Sequence, residues 1–286
     1  MTMKRASGDG TAITEAVRGR PTGEAAQWEA LRQFMVSTCG VALADDQSYL
    51  MESRLNVVAR SLNFESVEAY VSAAVQPGAP PQLTAPLIDA MTTHETSWFR
   101  DAHFWQALKE RILPTYNRDL GSSKQLFHVW IAACSTGQEA YSFCMSLIEN
   151  APSLYQRTAI VATDVSEAAI RQAKEGTYSM YEANRGLTPG QLQRYFERAG
   201  SGFRVRDALR QRVTFQTHNL VTQRPPGSAF DLVLMRNVLI YFPEATRRQT
   251  IQQAMAVLKP AGALGLGSTE VLPFAALAKG WYQRSL

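Results

Sequence analysis

Hydrophobic positions near the start of the chain recur every three or four residues. "QWEALRQFMVSTCG" sets Trp28, Leu31, Phe34 and Met35 at helical spacing and stops at Gly40. "DDQSYLMESRLNVVARSL" does the same with Tyr49, Leu50, Leu55, Val58 and Leu62, leaving Arg54 and Arg60 toward the other side. "NFESVEAYVSAAV" predicts a third helix, capped by Asn63. "QPGAPPQLTAP", with four prolines and one glycine, predicts a break.

From about residue 125 the period shifts to alternating strand and helix. Apolar runs predict strands at Phe127–Ile131, Ala159–Thr163, Val213–His218, Asp231–Met235 and Ala263–Ser268. Helical patterns fall between them at 138–149, 166–175 and 244–258. Alternation of this kind predicts a parallel, doubly wound α/β sheet. The Arg-rich stretch 177–212, containing "RAGSGFRVR", interrupts it and predicts an insert with a few short antiparallel strands. The expected organisation is a loose polar tail over 1–27, a helical domain over 28–90 and an α/β domain over 91–286.

No apolar run approaches the ~18–20 residues of a membrane span, and the N-terminus lacks the apolar core of a signal peptide. Cys39, Cys134 and Cys144 have no metal-ligand spacing and fit reduced thiols in a cytoplasm; the scattered histidines predict no metal site. The net charge of +4 is unevenly spread. Six arginines (194, 198, 204, 206, 210 and 212) face only Glu197 and Asp207, so this window alone carries +4. It reads either as a solvated face or as a docking surface for something acidic.

The candidate chemistry sits after the first strand. "LFHVWIAACSTGQEA" runs from strand through a small-residue loop into a helix, at the place where doubly wound sheets bind ligands. The loop is not G-x-G-x-x-G, and its small residues serve tight packing equally well. Asp164 ends the second strand 27 residues after Gly137, suited to ribose hydroxyls or to capping the next helix, a role Ser166 can also fill. Glu139 lies in the first turn of its helix, where an acid complements the dipole but opposes a pyrophosphate. A cationic ligand without phosphate, such as S-adenosylmethionine, suits that position better than NAD. Arg236 and Asn237 emerge at the end of "FDLVLMRNVLIYF", which lacks the N/D-P-P-Y/F sequence usual in nucleic-acid amino-methyltransferases.

At this point the chain resembles the CheR-type chemotaxis receptor methyltransferases. The matching motifs are "TTHETSWFRDAHFW", "CSTGQEAYS", "ATDVSEAAIRQAKEGTYS", "LTPGQLQRYF", "FDLVLMRNVLIYF" and "LKPAGALGLGSTEVL", in family order. The resemblance implies an N-terminal helical domain plus a Rossmann-like class I methyltransferase domain with a small inserted β-subdomain. It implies a S-adenosylmethionine pocket lined by His94, Thr96, Arg100, Glu139, Asp164, Asn219, Leu220, Arg236, Asn237 and Val238. Asp164 would hold the ribose and Glu139 the positively charged methionine end. His94 stands where the family has Asn, and "GQEAYS" where it has "GEEPYS". The insert looks shorter than in enterobacterial relatives, which argues against docking through a receptor C-terminal pentapeptide.

The implied reaction is attack of a receptor glutamate carboxylate on the sulfonium methyl. A carboxylate with an ordinary pKa of about 4.3 is already ionised at neutral pH and needs no general base. Arg100 and Tyr241 are the candidates for orienting it. Partners follow the same reading: acidic receptor helices in the cytoplasm, met by Arg54, Arg60 and the 194–212 arginines, with no nucleic acid and no membrane insertion. The competing readings are an RNA methyltransferase and a non-catalytic adaptor with a nucleotide-sensing fold.

Overall fold

A computed structural model describes residues 24–120, 125–270, 272 and 276–284. The expected tail lies outside the described residues up to residue 23. Its last residues do not: Glu24–Cys39 is already helical, and Gln27 is buried with its side-chain amide donating to Glu68 O. The chain divides into two compact units at Thr92/Thr93.

The first unit is all helical. Glu24–Cys39, Ser48–Ser61, Val67–Ala74 and Pro81–Met91 bury Leu31, Met35, Leu55, Tyr70, Val71 and Leu87. Two expectations need correction here. Asn63 is not the cap of the third helix: it holds φ 60° just past the end of the second, and Phe64 N donates back to Ala59 O. Left-handed Asn in that place is a helix stop. Ser66 caps instead, accepting from Ala69 N at 3.1 Å. The proline-rich break also contains a helix. Pro81 falls at its first turn, where a missing N–H costs nothing, and Leu83, Leu87 and Met91 line one buried face.

The second unit is built on a seven-stranded sheet with order β6-β2-β1-β7-β8-β10-β9. Its strands are β1 Phe127–Ala132, β2 Thr158–Asp164, β6 Val213–Thr217, β7 Phe230–Met235, β8 Leu258–Leu266, β9 Ala276–Ala278 and β10 Trp281–Gln283. The first five are parallel, and the last two add antiparallel at the edge. β1 and β7 are buried along nearly their whole length, the pattern of a sheet covered on both faces.

The insert forms a separate three-stranded antiparallel sheet, β3-β5-β4, from Thr177–Tyr178, Gly202–Val205 and Phe196–Ala199. Trp98 packs edge-on against Tyr178 and Phe196 at 4.9 and 5.1 Å. Such pairs add about 0.5–1.5 kcal/mol each beyond the area they bury. The segment 93–101 is thereby fastened to the insert, and Trp98 N donates to Arg185 O at 3.1 Å.

Candidate active site

Strand order reverses between β1 and β7, and register aligns their ends: Ala132 lies beside both Thr163 and Met235. Loops leaving β1, β2 and β7 therefore start at one level around a switch point, where open α/β sheets bind ligands.

Five residues other than glycine hold positive φ on the loops after β1 and β7 and on the 93–101 segment: Phe99, Asp101, Ala133, Ser135 and Asn237. Strained backbone of this kind persists only where its surroundings fix it, and it gathers at working sites. Here the fixing contacts are explicit. Asp164, nearly buried, accepts from Ser135 N through Oδ2 (2.8 Å) and from Ser166 N through Oδ1 (3.0 Å). The cap of the following helix falls to Ser166, which accepts from Ala169 N. Ser135 Oγ donates to His94 O at 3.0 Å, tying the loop after β1 to the 93–101 segment.

Glu139 and Arg236 meet across the switch point. Arg236 Nη1 donates to Glu139 Oε2, and Nη2 donates to Arg100 O (2.6 Å) and Asp101 Oδ2 (3.1 Å). Its guanidinium lies 4.1 Å over the Phe104 ring, with Trp105 at 5.7 Å. The Arg236 side chain is 0% exposed, against 15% for Glu139 and 24% for Asp101, so the arginine is the locked member and the acids open outward. Burial holds the Glu139 carboxyl above its ordinary value of 4.5, and Arg236 offsets only part of that rise. Burial also pushes the neighbouring Cys134 thiol up, and it is inert as a nucleophile.

The remaining residues are less concentrated. Arg100 is half-buried, with Nη1 donating to Glu95 O at 3.0 Å, and Thr96 is half-buried between them. Asn219 and Leu220 follow β6, where His218 N donates to Asp164 O. Asn219 Oδ1 is occupied by the amides of Val221 and Thr222. Tyr241 ends a single 3-10 turn, Leu239–Tyr241. Among the described residues, no hydrogen bond or ion pair joins its side chain to Arg100 or Glu139. Asn237 and Val238 contribute backbone amides to an acid that sequence reasoning missed, Glu270. Asp101 was missed as well. Its signal was an acid next to Arg100 in "FRDAHFW"; that of Glu270 was an acid just after a glycine in "GLGSTE".

The donor set fits a cation. Asp101, Glu139 and Asp164 stand against Arg100 and Arg236. A ligand carrying a sulfonium and an ammonium matches that surplus of carboxylates; a pyrophosphate does not.

Known proteins agree with this chemistry. The CheR methyltransferase all-alpha domain matches residues 26–92, and the CheR methyltransferase SAM binding domain matches residues 94–282. The chain is 40% identical over 253 residues to chemotaxis protein methyltransferase 1 of Pseudomonas aeruginosa, covering 86% of this chain and 90% of that one. It is 37% identical over 250 residues to chemotaxis protein methyltransferase Cher2 of Pseudomonas putida, again with 86% and 90% covered. Against the chemotaxis protein methyltransferase of Escherichia coli it is 32% identical over 252 residues, covering 86% and 84%. With both domains present in order, the chain belongs to the CheR family of S-adenosylmethionine-dependent chemotaxis protein methyltransferases.

Proposed function

We propose that this enzyme esterifies glutamate side chains on the cytoplasmic part of chemotaxis receptors, with the pocket at the β1/β7 switch point holding the methyl donor. The observation that carries the reading is the Glu139–Arg236–Asp101 cluster: two outward-opening acids held by one buried arginine. S-adenosylmethionine, when bound, supplies the methyl group. A receptor carboxylate oxygen bonds to it as the methyl–sulfur bond breaks, and that electron pair stays on sulfur.

Each residue then has a stated task. Glu139 faces the methionine ammonium with the oxygen that Arg236 leaves free. Asp164 accepts ribose hydroxyls on lone pairs not used by Ser135 N and Ser166 N. His94, Thr96, Asn219, Leu220, Asn237 and Val238 line the walls. Arg100 holds one oxygen of the acceptor carboxylate and Tyr241 restricts its approach, so that the second oxygen is aimed. Alignment of this kind supplies up to about 7–11 kcal/mol of barrier lowering, with no general base.

Docking rests on charge. Arg60 is exposed and available; Arg54 is half-buried, with Nη1 3.4 Å from Ala90 O. Among the insert arginines, Arg194, Arg198 and Arg206 are exposed. Arg210 is spent on Asp207 and Lys174 O, and Arg212 on Tyr155 O. The docking surface is accordingly narrower than the six arginines suggest. Among the described residues, no helix is long and apolar enough to cross a membrane, and the reading places the enzyme in the cytoplasm.

The test is transfer of radiolabelled methyl from S-adenosylmethionine to a receptor cytoplasmic fragment. The label should be released as methanol by mild alkali, as an ester requires. Alkali-stable label, or label on RNA instead, overturns the reading.

A further inference from the structure

Glu270 lies just past the end of β8, is 8% exposed, and takes four backbone N–H groups on one carboxylate. Oε2 accepts from Asn237 N (3.0 Å) and Gly267 N (2.8 Å); Oε1 accepts from Val238 N (3.1 Å) and Leu239 N (2.8 Å). Asn237 at φ 58° followed by Val238 at φ −116°, ψ −37° is a left-handed/right-handed pair. Successive residues in that pairing turn their amides toward one point and make an anion-binding concavity. The anion here is a side chain of the same protein, reaching across from the next strand.

The fit is close. A Cβ on Gly267 would lie 2.9 Å from Glu270 Oε2, 2.8 Å from Asn237 Nδ2 and 3.0 Å from Asn237 N, so only glycine lets the carboxylate reach its amides. The charge also acts at a distance, opposing ionisation of Glu139.

We propose that Glu270 is a positioning residue for the methyl-transfer reaction: it sets the loop Asn237–Leu239 against the end of β8 and thereby shapes the cofactor wall. The proposal rests on the assignment of Asn237 and Val238 to that wall. A glutamine in its place must turn an NH2 toward two N–H donors, which removes one acceptor oxygen and its two hydrogen bonds with little change in volume.

The test is Glu270→Gln, read by calorimetry with S-adenosylhomocysteine, by steady-state kinetics on a receptor fragment, and by hydrogen exchange. The expected result is affinity weakened by about tenfold or more, because the wall loses two of the charge-assisted hydrogen bonds that set it. The KM for S-adenosylmethionine should rise, kcat should fall, and the KM for the receptor fragment should stay within about twofold. Amides 237–239 should exchange faster. A merely structural role lowers the melting temperature without that split between the two KM values. Parental affinity with parental exchange at 237–239 overturns the proposal. Should Glu270→Gln fail to fold, Gly267→Ala pushes the carboxylate off the loop while keeping its charge, and the same split is expected; its absence overturns the proposal equally. A parent enzyme that binds no S-adenosylhomocysteine overturns the assignment of the wall instead, and exchange at 237–239 then still decides whether Glu270 holds the loop.

Discussion

Arg236, on the loop after β7, donates to Glu139, in the first turn of the helix after β1, and to Asp101, before β1. One buried guanidinium thus joins three stretches that are distant in sequence, and it does so at the switch point of the sheet. Removing it leaves two carboxylates facing each other in a poorly hydrated place. Arg236→Ala is expected to cost about 3–5 kcal/mol of stability, measured by urea unfolding, and to abolish cofactor binding. Arg236→Lys keeps the charge but loses the fork that reaches both acids, so its loss should be intermediate.

The close approach of Gly186 to Trp98 gives a second outcome. Gly186 holds φ 114°, and a Cβ there would lie 2.1 Å from Trp98 O. Gly186→Ala is expected to lower stability by about 2 kcal/mol or more and to loosen the segment carrying Thr96 and Arg100. Gly190, with open space around it and no positive φ, is the control: Gly190→Ala should stay within about 0.5 kcal/mol in the same thermal melts.

Burial raises the Glu139 carboxyl above 4.5, and the sign of the pH effect follows. The folded protein holds this proton more tightly than the unfolded chain. Its contribution to stability is therefore full below 4.5 and is lost as pH rises through the raised value. With Glu139 in its proposed role, cofactor binding runs the other way, because the methionine ammonium would need the ionised acid. Affinity for S-adenosylhomocysteine should climb with pH through the raised value and then level off. Calorimetry at several pH values checks this, and Glu139→Gln should flatten the climb.

Arg60 tests docking cleanly because it is exposed, whereas Arg54 also touches Ala90 O. Arg60→Glu is expected to slow receptor methylation several-fold, with an effect that shrinks as salt rises. Its affinity for S-adenosylhomocysteine should match the parent. Equal losses in both would remove Arg60 from the docking surface.

Much of this was legible in the sequence because it depends on periodicity. The buried runs of β1 and β7 and the acid at the end of β2 are local patterns, and the parallel sheet follows from their alternation with helices. The missed features depend on tertiary contact. No local pattern tells that Asn63 will stop one helix instead of starting the next; the helix opened by Pro81 did carry one, the spacing of Leu83, Leu87 and Met91, which the surrounding prolines outweighed. The late strands β9 and β10 are too short to show a period. Glu139 was read as an acid open to a ligand, but half of its capacity goes to Arg236, 97 residues away. Glu270 reads as an ordinary turn acid until Asn237 turns three amides toward it.

The proposed cofactor site lies where β1, β2 and β7 end. The most direct measurement is calorimetric titration of the folded protein with S-adenosylhomocysteine, run beside NAD and repeated on Asp164→Ala. Micromolar binding of S-adenosylhomocysteine alone, lost in the variant, is the predicted result. A folded protein that binds neither ligand, or binds NAD as well, contradicts it.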